Sequence, residues 1–188
     1  WPLAHDPDVR PRHPVLEDLR HFMGIEEPFS EDVVRRSISA YFGLCSFLDD
    51  NIGQVLRALE ESGNADNTRI VYTSDHGEGN GDRGVWGKCN LYEESAGIPL
   101  IMAGPDLPKN KVVRTPVNLV DLFPTVLESS GVPNNPEDRF LPGQSLLRIA
   151  NEPDDLERIA YSEFHAAAST TGGFMLRKGR WKYVRYVG

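Results

Sequence analysis

The sequence predicts an α/β fold on three observations: apolar residues at helical spacing over 31–62, two short apolar runs at 69–73 and 98–102, and three strand-like runs near the C-terminus. A long helix followed by two such strands predicts a layered body with a mostly parallel sheet. The last three runs predict the beginning of a small antiparallel sheet.

Taken in order, residues 1–29 carry Pro2, Pro7, Pro11 and Pro14 with His5, His13 and His21 scattered between them, and show no sustained period. They predict an entry segment with little regular structure and solvated histidines, with metal ligation as the alternative. Ser30, followed by Glu31 and Asp32, predicts a helix start, a hydroxyl cap ahead of acids that favour the positive end of the helix dipole. Val34, Ile38, Tyr41, Cys45, Leu48, Ile52, Val55 and Leu59 then recur at steps of four and three, which predicts one helix burying one stripe. Cys45 is expected there as a small core residue, and Asp49 and Asp50 as solvated or capping groups rather than metal ligands. Gly63 ends the helix, because glycine accepts the left-handed geometry common at a helix C-terminus.

Arg69–Thr73 and Ile98–Met102 are short β-branched or apolar runs, hence strands. Val117 to Leu127 predicts a helix ending before Gly131, and 132–158, with Pro133, Pro136, Pro142 and Pro153, predicts loop. Ile159–Phe164, Gly173–Arg177 and Trp181–Tyr186 predict three strands, the last two joined at Lys178-Gly179-Arg180.

Composition narrows the function classes. The 188 residues contain 20 Lys and Arg against 28 Asp and Glu, a formal charge of −8, with no dense basic cluster. Such a field repels phosphate backbones and excludes a nucleic-acid partner. No apolar run approaches the roughly 20 residues needed to span a bilayer, so no membrane partner is expected. Cys45 and Cys89 have no CxxC spacing, which excludes a zinc knuckle or a redox pair.

The chemistry gathers between the two central strands, in a connection far longer than the 2–6 residues usual in such a layer. It opens T-S-D-H-G-E-G-N-G-D-R-G-V-W-G-K over 73–88. Asp75 offers a hard oxygen and His76 an imidazole nitrogen just past a strand end, where open α/β sheets place their sites. Glycines 77, 79, 81, 84 and 87 permit the turn that would let adjacent residues share one metal. By themselves these residues describe a hydrogen-bonded turn more readily than a metal site, and Lys88 a solvated lysine. Arg83 is expected to pair with Asp82 or Glu78, with an anionic substrate as the alternative. Trp86 is expected to pack behind the loop, and Glu93 and Glu94 are assigned no chemistry beyond a short helix. His165 divides between a substrate pocket and a solvated loop position.

Several collinear blocks sharpen this: L-D-D-N-I-G-Q-V-L-R-A-L-E-E-S-G (48–63), D-N-T-R-I-V-Y-T-S-D-H-G-E (66–78), G-V-W-G-K (84–88), L-Y-E-E-S (91–95), I-P-L-I (98–101), V-D-L-F-P-T-V-L-E-S-S-G-V-P (120–133), G-Q-S-L-L (143–147) and R-K-G-R-W-K-Y (177–183). Together they resemble the sulfatases of the alkaline phosphatase superfamily, which also includes phosphonate monoester hydrolases. The resemblance implies an alkaline-phosphatase-like α/β sandwich, with residues 1–150 as the C-terminal half of the core and 151–188 as the beginning of a small antiparallel sheet. It implies Asp75 and His76 as the second half of a divalent-metal site, with Ca²⁺ the first candidate and Mn²⁺ or Mg²⁺ as rivals. It also implies Lys88 as the catalytic, substrate-binding cation on the sulfate or phosphate oxygens; His165, at a strand end beside Glu163, is a further substrate-binding candidate by its position alone. Asp-His, where many sulfatases have Asp-Asn, is similar to the bacterial choline-sulfatase and phosphonate-hydrolase branches, which implies a bacterial cytoplasm or periplasm.

One family element is absent from these residues. Sulfatases carry a C-x-P-x-R or S-x-P-x-R segment whose Cys or Ser becomes a formylglycine nucleophile; Cys45 precedes Ser-Phe-Leu and Cys89 precedes Asn-Leu-Tyr. The chain is therefore expected to be a portion of a sulfuric ester hydrolase, cut from a larger enzyme, inactive alone, with formylglycine on the missing part. The alternatives are a phosphonate or phosphate ester hydrolase and a non-catalytic binding or assembly module. A small sulfate or phosphonate ester is the expected ligand, and homo-oligomerisation or aggregation is expected from uncovered sheet edges.

Overall fold

A computed structural model of the chain describes residues 10–133, 135–165 and 171–187; His5 lies outside the described residues. Among the described residues five α-helices, α1 (Pro14–Met23), α2 (Glu31–Glu61), α3 (Glu93–Ala96), α4 (Leu122–Ser129) and α5 (Leu146–Asn151), combine with strands β1 (Ile70–Thr73), β2 (Leu100–Ala103), β3 (Ile159–Phe164), β4 (Gly172–Lys178) and β5 (Trp181–Val187).

Helix α1 replaces the irregular entry segment predicted from the prolines. Pro14 occupies the first helical position, where its missing N–H costs nothing, and the His13 ring accepts from the Val15 N–H at 3.3 Å. Leu16 and Leu19, three apart, are buried. They pack with Leu91, Phe164 and Tyr186, so α1 is wedged between the long loop and the C-terminal sheet.

Helix α2 has the predicted bounds and stop, with Gly63 at φ 72°. Two expectations fail. The Ser30 hydroxyl makes no cap hydrogen bond, and the apolar stripe is not buried. Only Val34 is fully enclosed, while Tyr41, Leu48 and Val55 are exposed, as is Cys45. The helix is about 47 Å long at 1.5 Å per residue, far longer than the elements available to cover it.

The central strands pair antiparallel, Ile70 with Ala103 through Thr73 with Leu100, instead of joining a parallel sheet. Thr73 and Leu100 are thus neighbours, and residues 74–99 form one excursion from a single end of the ribbon. The Thr73 hydroxyl donates to the Pro99 carbonyl at 2.8 Å across its neck. The C-terminal sheet is the predicted one, with order β3-β4-β5, antiparallel throughout and a tight turn at Gly179.

Helix α5, within the stretch predicted as loop, starts on the Ser145 hydroxyl and buries Leu146, Leu147 and Ile149. It is locked to α4 by Asp121, which is wholly buried. Its carboxylate accepts from the backbone N–H groups of Asn118 and Gln144, both at 2.8 Å, and from the Arg158 guanidinium at 2.7 Å. The Thr125 hydroxyl donates to the Asp121 carbonyl at 2.5 Å and accepts from the Leu146 N–H at 2.8 Å. This network joins α4, α5 and the approach to β3.

Candidate active site

The excursion from β1 is shaped by short hydrogen bonds. The Ser74 hydroxyl donates to the His76 carbonyl at 2.7 Å, and the Gly77 N–H donates to the Ser95 carbonyl at 2.8 Å. A side chain at Gly77 would collide with the Glu94 carbonyl, so glycine is required for that approach. Further along, Glu78 accepts from the Asn80 N–H at 3.1 Å and the Gly87 N–H at 2.6 Å, folding the loop back on itself. Trp86 packs as expected, edge-on against Phe29 with ring centroids 5.6 Å apart. Arg83 pairs with Asp82, as predicted, and with Glu94 at 2.9 Å instead of Glu78.

These contacts bring Asp75, His76 and Lys88 into one groove of about 790 Å³ between the β1–β2 ribbon and the C-terminal sheet. Asp75 Oδ2 lies 3.5 Å from His76 Nε2, and Lys88 Nζ lies 2.7 Å from the same nitrogen. His76 Nδ1 is 2.8 Å from the Gly77 carbonyl. A carbonyl only accepts and an ammonium only donates, so Nδ1 carries the proton and Nε2 presents its lone pair. Local desolvation pushes the Asp75 carboxyl up, but hydrogen bonds from the His76 and Asp75 backbone N–H groups, with the Lys88 ammonium nearby, hold it below the usual carboxylate range.

A carboxylate oxygen and an imidazole lone pair 3.5 Å apart fit two donors each about 2.0–2.6 Å from one divalent ion. Among the described residues no cluster of three or more His, Cys, Asp or Glu forms, so Asp75 and His76 stand as a pair. His165 is at the end of β3, edge-on to Phe174 at 5.0 Å and 3.7 Å from Glu163, with its side chain half exposed. It is not among the residues that line the groove holding Lys88.

Sequence reasoning missed several groove residues. Glu93, assigned no chemistry, receives Arg177 at 3.2 Å and Lys182 at 2.9 Å, tying the C-terminal sheet to the loop that carries Lys88. Arg114 also lines the groove. The alternating basic residues of R-K-G-R-W-K were the available signal.

The model of the sulfatase family matches residues 8–132, and that of the C-terminal region of N-sulphoglucosamine sulphohydrolase matches residues 81–188. Arylsulfatase K of Danio rerio is 32% identical over 164 residues, 85% of this chain and 31% of that protein. The choline-sulfatase of Rhizobium meliloti (strain 1021) is 36% identical over 155 residues, 82% of this chain and 30% of that protein. Phosphonate monoester hydrolase from Silicibacter pomeroyi has a similar structure, with a TM-score of 0.79 and 27% identity over 99% of this chain and 41% of its own. The chain therefore spans less than a third of the curated relatives named. The likeness to choline-sulfatase and phosphonate monoester hydrolase is thus present, but an animal enzyme matches beside them, so a bacterial origin is not shown.

Proposed function

The chain belongs to the sulfatase family, and from that premise we propose that it is the portion of a sulfuric ester hydrolase carrying half of the divalent-metal site and the sulfate-holding lysine. The observation that carries the reading is the convergence of Asp75, His76 and Lys88 on one groove. Asp75 and His76 would hold the metal, with calcium the first choice, manganese a rival because of the nitrogen donor, and magnesium a further candidate. A bound cation would supply positive charge against the oxygens of the transferred group.

The chain's own residues have distinct tasks. The Gly77 carbonyl fixes the His76 tautomer, so Nε2 stays a donor atom without a proton. Lys88 turns its flexible, exposed ammonium from Nε2 to the sulfuryl oxygens, adding charge where the transition state accumulates it. Half a metal site and no C-x-P-x-R segment support inactivity of these 188 residues alone.

Turnover of 4-nitrophenyl sulfate is expected from a polypeptide that joins this chain to a C-x-P-x-R segment, and not from the 188 residues alone. Lys88→Ala in the active polypeptide should lower kcat/KM about 10²–10³-fold. Turnover by the 188 residues alone, or an unimpaired Lys88→Ala, would overturn the reading. The likeness to a phosphonate monoester hydrolase supports a second reading, a phosphonate or phosphate ester as substrate in the same groove. Ranking kcat/KM for matched 4-nitrophenyl sulfate and phenylphosphonate esters decides between them.

A further inference from the structure

The groove that holds Asp75, His76 and Lys88 contains a second set of charges. Arg177 on β4 and Lys182 on β5 address one carboxylate oxygen of Glu93. One carboxylate against two cations leaves a surplus positive charge. The Lys182 side chain is only 18% exposed, so water screens that charge poorly. Arg114 lines the same groove; its backbone N–H donates to Asp154 at 2.9 Å, while its guanidinium has no partner among the described residues. Four cations, Lys88, Arg114, Arg177 and Lys182, thus meet three carboxylates, Asp75, Glu93 and Glu163, a surplus of one within a chain of formal charge −8. The electropositive wall runs against the field of the whole molecule, and focusing of this kind attracts anions.

We propose that Arg114, Arg177 and Lys182 bind a second anionic group of the substrate, so that the groove selects sulfate esters bearing a further carboxylate or sulfate over neutral or cationic esters. Leu100, Ala160, Met175 and Phe164 supply apolar wall for the body of such a molecule. The inference rests on the sulfuric-ester reading for the identity of the first anion. A quaternary-ammonium ester, whose cation calls for an aromatic cage, would meet a surplus of like charge.

Calorimetric titration of the chain at low salt tests this with phenyl sulfate, 4-carboxyphenyl sulfate, flexible 1,4-butanediol disulfate and choline sulfate. At least one dianionic probe should bind about tenfold more tightly than phenyl sulfate, choline sulfate should bind more weakly, and the carboxylate and disulfate arms show which second anion is preferred. Arg114→Gln, an exposed position whose guanidinium has no partner among the described residues, should shrink the dianion preference, and Lys182→Gln should abolish it. Equal affinities for singly and doubly charged probes, or a preference that survives both substitutions, overturns the proposal. Lys88→Ala should weaken all probes alike. If it weakens none while the dianion preference persists, the second anion site stands and the sulfuric-ester assignment of Lys88 falls.

Discussion

Asp121 and Asp75 are both carboxylates set beside a cation and backbone N–H groups, yet Asp121 is wholly buried while the side chain of Asp75 is 82% exposed. At Asp121 both oxygens are used, by two backbone N–H groups and by Arg158. At Asp75 one oxygen accepts from the His76 N–H, and the other faces His76 Nε2 across 3.5 Å. A saturated, buried carboxylate holds elements together; an exposed one with an oxygen to spare can take a ligand. Burial and saturation separate the two roles, not residue type.

The largest expected effect tests that separation directly. Asp121→Ala leaves Arg158 mostly buried without its counter-charge and two backbone N–H groups unpaired, so about 3–5 kcal/mol of stability should be lost. Asp75→Ala should leave stability almost unchanged, as exposed substitutions usually do. Urea denaturation of the two variants measures both. Similar losses for the two would break the comparison.

A middle-sized effect is expected at the backbone beneath the candidate site. Gly77→Ala drives a methyl group into the Glu94 carbonyl and so must shift either the Asp75–His76 turn or α3. About 1–3 kcal/mol of strain is expected, together with weaker binding of phenyl sulfate in calorimetry. Unchanged stability and binding would mean that the turn is not what positions the imidazole.

How far the sequence disclosed all this differs between the two regions for the same physical reason. Asp75, His76 and Lys88 stood out because glycines, a strand end and a long connection mark a site through local chemistry. So did the C-terminal hairpins, whose alternation and Gly179 turn are local signals. Asp121 did not, although a lone carboxylate inside Leu119-Val120-Asp121-Leu122-Phe123 is a cue to a buried partner. That partner, Arg158, lies 37 positions away, and no local period reports it. The α2 stripe failed oppositely: periodicity states which face is apolar, not whether anything covers it. Antiparallel pairing of β1 with β2 was hidden because residues 74–99 are long enough for either a crossover or a return.

The smallest expected effect concerns the ionic cluster beside the site, which stands between the two extremes. Burial pushes the Glu94 carboxyl up, but its backbone hydrogen bond and the Arg83 and Asp82 side chains outweigh that and hold it below the ordinary glutamate value of 4.5. A depressed carboxyl stabilises the folded chain above its unfolded value and loses that contribution as pH falls through its folded one. Acidification below about pH 4.5 should therefore loosen the loop that α3 and Arg83 secure, by less than about 1 kcal/mol, because Arg83 and Glu94 are each about a third exposed. Hydrogen exchange at the Gly81 and Val85 amides, which turn the loop beside Arg83, should accelerate over that range after correction for intrinsic rates. Glu94→Gln should give similar protection at neutral and acid pH. If the wild-type and Glu94→Gln profiles coincide, a partly buried cluster contributes no more than an open one, and partial burial has no intermediate role.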